Sequence, residues 1–264
     1  MDGQNLNPAV KKELRAVERA ERRLEKAALR AKPAAWRNAL AEKIPDKVQG
    51  GLESAFAKAF ALVFSQGRGV LEKSYNKAAL QQTHSEQDAA AHSGSTRRVL
   101  RKMNQGAEQS RLVGMAVTAA EGVALGALGI GMPDIVIFTG ALLRGVYEMA
   151  LRYGFDYESP AEQLLILKML EASLSTGEEW QQRNADVDRV LLLPERSVAD
   201  GALKMQLQHT AKAFAMDMLV LKFVQGIPLL GILGGAANPV YYHKVMRYVQ
   251  LKYRKRYLLQ RQDT

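Results

Sequence analysis

The stretch VGMAVTAAEGVALGALGIGMPDIVIFTGALL, Val113 to Leu143, constrains the fold more than any other part of this chain. Its thirty-one residues carry two charges, Glu121 and Asp134, together with Gly114, Gly122, Gly126, Gly129, Gly131, Pro133 and Gly140. A run so poor in charge must be covered, either by protein or by lipid. A helix that spans a bilayer needs about 20 predominantly apolar residues. The first arm, Leu112 to Pro133, is long enough but holds Glu121 near its middle. A centred carboxylate costs roughly 2.5–3.5 kcal/mol to insert, and Ala and Gly offset little of that. The second arm is uncharged only from Ile135 to Leu143, too short to span alone.

The glycines favour close packing instead. Gly114, Thr118, Gly122 and Gly126 recur at every fourth position and make one small-residue face, against which another helix can approach closely. Each mid-helix Gly costs about 1 kcal/mol relative to Ala, so packing must recover that cost. The run divides at GIGMPD, where glycines stop one helix and Pro133 suits the first position of the next. The expectation is a helical hairpin near 111–129 and 133–153, either buried in a bundle or held shallowly in lipid. GALGIG is not a nucleotide loop: it lacks the G-x-G-x-x-G and G-K-S/T patterns, and Pro133 removes an amide donor.

Helical patterning continues outside the hairpin. PAVKKELRAVERAERRLEKAALRAK opens with Pro8 and spaces Val10, Leu14, Val17, Leu24, Ala28 and Ala31 three or four apart, with Glu21 breaking the stripe. The stripe is narrow, which suits a charged arm laid on a partner. Pro45 and Asp46 start a second helix, with Phe56, Phe60 and Phe64 as an i, i+4 ladder, ended by Gly67 and Gly69. A short helix follows near Val70–Leu80. QQTHSEQDAAAHSGSTRR reads as a polar linker, about 81–96. Beyond the hairpin, Tyr153-Gly154-Phe155-Asp156 makes a turn, and Ser159-Pro160-x-Glu162 starts another helix. Helices follow from Val198 to Val224 and after Pro239. No alternating run reads as a strand. The fold class is all-α, a multi-helix bundle with a central glycine-rich hairpin and a basic amphipathic C-terminal helix.

Charge is unevenly placed. Residues 1–102 carry 20 Lys/Arg against 11 Asp/Glu, residues 103–218 carry 9 against 15, and residues 219–264 carry 8 against 1. Basic ends around an acidic middle point to an anionic partner. In the tail, Tyr242, Met246, Val249, Tyr253 and Tyr257 share one face, and Lys244, Arg247, Arg254 and Lys255 lie mostly opposite. Cations and tyrosines on one helix suit an anionic headgroup interface, with Lys252 and Arg256 added to the contact set. The same residues also suit nucleic acid or an ordinary docked helix.

The chemistry of enzymes is thinly represented. There is no Cys, which removes disulfides, zinc-thiolate sites and thiol nucleophiles. His84, Asp88 and His92 have i, i+4, i+8 spacing, but in a segment read as loop they make no metal site. No hydrolase or zinc-protease motif stands in a supporting context. No cofactor or metal is expected. The N-terminus has no apolar signal core, so a cytosolic-side location is expected.

Three blocks resemble the EcsC family of bacterial proteins: IPDKV at Ile44–Val48; GIGMPDIVIFTGALLRGVYEMALRYGFDYESPAEQLLILKML, with Gly131, Pro133, Gly154 and Asp156; and IPLLGILGGAANPVYYHKVMRYVQLKYRKRYL, with Pro228, Gly231, Gly235 and Asn238. The resemblance covers roughly Ile44 to Leu258 and leaves residues 1–43 as a charged helical arm and 259–264 as a tail. It implies a helical protein associated with membrane, and it carries over no catalytic residue. The expectation is a non-enzymatic protein, peripheral or shallow in an anionic membrane surface, with a membrane protein as a further partner. The alternative is a soluble hydrolase or lipid-handling enzyme with an apolar pocket, for which Glu121, Asp134 and Asp156 are the first catalytic candidates.

Overall fold

The computed structural model describes residues 7–31, 39, 42–92, 96–126, 131–191, 198–199, 201–225 and 237–261, with side chains for all of these except 66–68, 70, 115–126, 131–134, 221–225, 237–238 and 240. The described residues form α1 (Pro8–Arg30), α2 (Asp46–Leu62), α3 (Lys77–His92), α4 (Thr96–Gly126), α5 (Gly131–Arg152), α6 (Pro160–Leu174), α7 (Gly177–Leu191), α8 (Ala202–Gln225) and α9 (Ala237–Gln260). No strand occurs among them. The all-α reading therefore holds, and no described helix is long and apolar enough to cross a membrane.

The helix boundaries follow local chemistry. Asn7 accepts a hydrogen bond from the Ala9 amide at 2.9 Å, and Pro8 takes the first helical position of α1, where its missing N–H costs nothing. Ser159 caps α6 in the same way, accepting from Glu162 N at 3.2 Å. Gly154 closes α5 at φ +81°. There Phe155 N bonds Ala150 O at 2.9 Å and Gly154 N bonds Leu151 O at 3.0 Å, the double bond of a Schellman ending. A Cβ on Gly154 would also collide with the His84 ring. The glycines after α2 do not end the helix outright. A π-helical turn at Val63–Gly67 and a short helix at Arg68–Glu72 carry the chain on.

Several sequence expectations are corrected here: the short helix expected near Val70–Leu80 breaks after Glu72, α4 starts at Thr96 rather than near 111, and α7 forms where no helix was expected. The polar linker expected near 81–96 is mostly the helix α3. Asn76 caps it through Ala79 N at 2.9 Å, and its Ala, Gln and Glu residues are strong helix formers. Polarity was mistaken for irregularity. The N-terminal arm is also no free arm, because Val10, Leu14 and Val17 are buried in the core.

Helix α6 lies at the centre. Leu165, Ile166, Leu167, Met169 and Leu170 are all buried, as expected of a helix apolar around most of its circumference. Packed against it are α7, α8 and α9, with α2 behind α8 and α5 beside α9. Phe56 and Phe60 of α2 meet Phe214 of α8 at 5.5 and 5.4 Å, and Phe138 of α5 meets Tyr241 of α9 at 6.1 Å. Burying each such ring stabilises the fold by about 1.5–3 kcal/mol. On the other side, α4 and α9 run antiparallel, since Asn104 pairs with Gln250 and Arg111 with His243. The end of α4 and the starts of α5 and α9 therefore gather at one end of the bundle.

Candidate functional site

Helix α9 departs from the amphipathic surface helix that its sequence suggests. Tyr241, Tyr242, Val245, Met246, Tyr248, Val249, Tyr253, Tyr257 and Leu258 are all buried, and so is Lys252, with 0 % of its surface exposed. A buried ammonium needs counter-charges, and it has two. Lys252 Nζ bonds Glu21 of α1, and Asp188 of α7 at 2.6 Å. Lys255 bonds the same two carboxylates, at 2.9 Å and 2.8 Å. Arg254 pairs with Glu13 of α1. Arg256 pairs with buried Glu162 of α6, which also accepts from Tyr253 Oη at 2.8 Å. Tyr257 Oη donates to Asp88 of α3 at 2.7 Å. So Lys252, Arg254, Lys255, Arg256, Tyr253 and Tyr257 already have partners inside the protein. They clamp α1, α3, α6 and α7 onto α9. Only Lys244 and Arg247 of the expected contact set lie exposed.

Electrostatics within the clamp follow from this geometry. Burial alone would raise the Glu21 carboxyl. The Lys252 and Lys255 ammoniums outweigh it and hold Glu21 below the usual carboxylate range. Asp88 is likewise held low: burial raises it, and the Tyr257 hydroxyl and Arg261 guanidinium together outweigh that. The sequence signal for the clamp was Glu21 itself, the charge that interrupts the apolar stripe of α1. Its partners lie far away in sequence, so the stripe looked broken rather than occupied.

The other candidates sort as follows. Asp156 is exposed, and its Oδ1 accepts from Glu158 N at 2.9 Å, a turn-forming bond. The side chains of Glu121, Asp134, Pro133 and Asn238 lie outside the described residues, as do Pro228, Gly231 and Gly235 altogether; Gly131 opens α5. His84, Asp88 and His92 do share a helix, but they do not converge. The His84 Nδ1 lies 3.2 Å from the Arg152 carbonyl, and Asp88 is bonded to Tyr257 and to Arg261 at 2.6 Å. No group of metal-holding geometry occurs among the described residues.

Two features of the surface remain. Leu112 and Val113 in the middle of α4 and Ile137 in the second turn of α5 are 46 %, 62 % and 38 % exposed. The Tyr242 hydroxyl is pinched between Gly114 of α4 and Gly145 of α5, where a Cβ on either would overlap it. The small-residue face thus admits a tyrosine of α9. Beside it lies a groove of about 410 Å³ between α1 and α4, floored by α9. Arg111, His243, Arg247 and Arg254 line it, with Leu24 and Leu251 on one wall. Neither Arg111 nor His243 stood out in the sequence, because 132 positions separate them.

No curated protein and no solved structure matches the chain. The model of the EcsC protein family matches it from the first turn of α1, a helix expected to stand outside the family region, into the last turn of α9. With residues 9–258 matched, the chain belongs to the EcsC protein family.

Proposed function

We propose that this protein is a non-enzymatic helical protein that seats one end of its bundle shallowly in an anionic membrane surface. The carrying observation is the exposure of Leu112 and Val113 in the middle of α4 and of Ile137 in the second turn of α5. The segments that continue from there are poor in charge: residues 115–130 contain only Glu121, and IPLLGILGGAAN contains none. Lys244 and Arg247 are exposed two to three turns into α9. Juxtamembrane cations contribute about 1 kcal/mol each near an anionic surface, and a weak apolar anchor needs such a second signal.

Vesicle flotation tests the reading. The protein is expected to float with vesicles containing anionic lipid and much less with neutral ones. High salt should weaken the association if the cations dominate, whereas full insertion of the apolar end should require detergent for release. The double substitution Leu112→Asp, Val113→Asp should abolish flotation. Equal flotation of that variant and the wild type would sink the reading.

A further inference from the structure

We infer that the groove between α1 and α4 is a binding site for a phosphate monoester with a substituent of a few carbons. Its deepest cation is Arg111, which is only 8 % exposed. Nη1 donates to His243 Nδ1 at 2.7 Å, and Nη2 reaches Glu108 at 3.3 Å on the exposed rim. Its Nε is buried with no hydrogen-bond partner among the described residues. A buried guanidinium N–H without an acceptor is costly, and a ligand oxygen would relieve that cost.

The neighbours share the preference for an anion. Arg111 Nη1 lies 2.7 Å from His243 Nδ1 and 3.4 Å from Nε2; with Nδ1 accepting, Nε2–H is the ring's donor. Burial, then Arg111 and Arg247, hold its imidazole below the ordinary range, so the ring is a neutral donor at neutral pH. Arg247 lines the groove, is exposed, and forms no ion pair among the described residues. Arg254 is different, since Glu13 already neutralises it. Two guanidiniums therefore face the groove against the single rim carboxylate of Glu108. That excess suits a doubly charged phosphate, which guanidinium forks hold in paired, charge-assisted hydrogen bonds. Ala20, Leu24 and Leu251 give the groove an apolar side, and about 410 Å³ is enough for a phosphate and a few carbons. Arg111 directly precedes exposed Leu112 and Val113, so the groove lies beside exposed apolar side chains. The ester therefore has two chemical sources, a soluble small molecule or the headgroup of a monoester lipid.

The inference stands apart from the membrane reading, and the experiment separates them. Titration calorimetry with glycerol 3-phosphate probes the soluble source. Flotation with vesicles of phosphatidic acid in neutral lipid, against vesicles of equal charge made with phosphatidylglycerol, probes the lipid source. Wild type is compared with Arg111→Gln, Arg247→Gln and Lys244→Gln; Arg247 and Lys244 are exposed, so those two variants keep the fold intact. The groove predicts binding of glycerol 3-phosphate, or a preference for phosphatidic acid over phosphatidylglycerol. It also predicts that Arg111→Gln and Arg247→Gln each weaken that binding by roughly tenfold or more, while Lys244→Gln does not. Calorimetric binding without any flotation supports the groove and defeats the membrane reading. Flotation that ignores the monoester, or that falls equally in the Arg247 and Lys244 variants, with no heat from glycerol 3-phosphate, defeats the groove and leaves the membrane reading standing. The absence of both kinds of binding overturns both.

Discussion

The two ends of α9 belong to one helix and yet meet different surroundings. From Tyr248 to Arg261 its cations and hydroxyls are matched to carboxylates and amides on α1, α3, α6 and α7. From Tyr241 to Arg247 the contacts are mostly aromatic and glycine-lined, and Lys244 and Arg247 lie exposed, Lys244 paired with Asp217. The contrast shows that a basic stretch is not by itself a contact surface. Whether a cation meets a partner outside the protein depends on whether the fold has already supplied a carboxylate. Here the fold supplies Glu13, Glu21, Asp188 and Glu162 at one end. At the other, Asp217 alone among the described residues reaches a cation, Lys244, at 3.3 Å.

The sharpest way to break this contrast is to remove the buried ammonium. Lys252→Ala should destabilise the protein by about 3–5 kcal/mol, because Glu21 and Asp188 lose a desolvated counter-charge. Urea denaturation followed by circular dichroism would measure it; a loss below 1 kcal/mol would mean that Lys255 alone suffices.

At the other end the expected cost is steric and smaller. Gly145→Ala should cost about 1–3 kcal/mol by forcing a Cβ onto Tyr242. Tyr242→Phe removes the nearest overlapping atom, so the double variant should recover part of the loss. Strict additivity in the same denaturation experiment would refute the pinch.

The clamp also predicts a pH dependence. Glu21 and Asp88 titrate below their usual values in the folded protein, so their contribution is complete above the unfolded carboxylate range of about 4. It is lost as the pH falls through the folded values. Stability should therefore be flat around pH 6–7 as far as these groups are concerned and drop below about pH 4. Glu21→Gln should make that acid limb shallower; an unchanged slope would exclude Glu21 from it.

The smallest effect on stability should come from Leu112→Asp, Val113→Asp, within about 0.5 kcal/mol. If this variant unfolds the protein instead, these side chains are covered rather than available to lipid.

How legible the molecule is in its sequence depends on distance along the chain. The caps at Pro8 and Ser159–Glu162 and the Gly154 turn are settled within about six residues, and each was readable. Helix α5 begins at Gly131, two residues before Pro133, the residue expected to take its first position. Helix α3 was not readable as helix, although its propensities allow it. What holds it in place is Asp88 bonding Tyr257 and Arg261, some 170 positions away. The tail cations failed for the same reason: Glu13 lies 241 positions from Arg254, and Glu21 lies 231 from Lys252.

The sequence by itself determined the helical class, most helix boundaries and the family, because period, caps and glycines act over one or two turns. Only the tertiary structure decided which charges are spent inside the fold, since Coulombic pairing depends on distance in space and not in sequence. The same holds for the groove. Arg111 and Arg247 are unremarkable on their separate helices, and α4 packing antiparallel on α9 makes them neighbours.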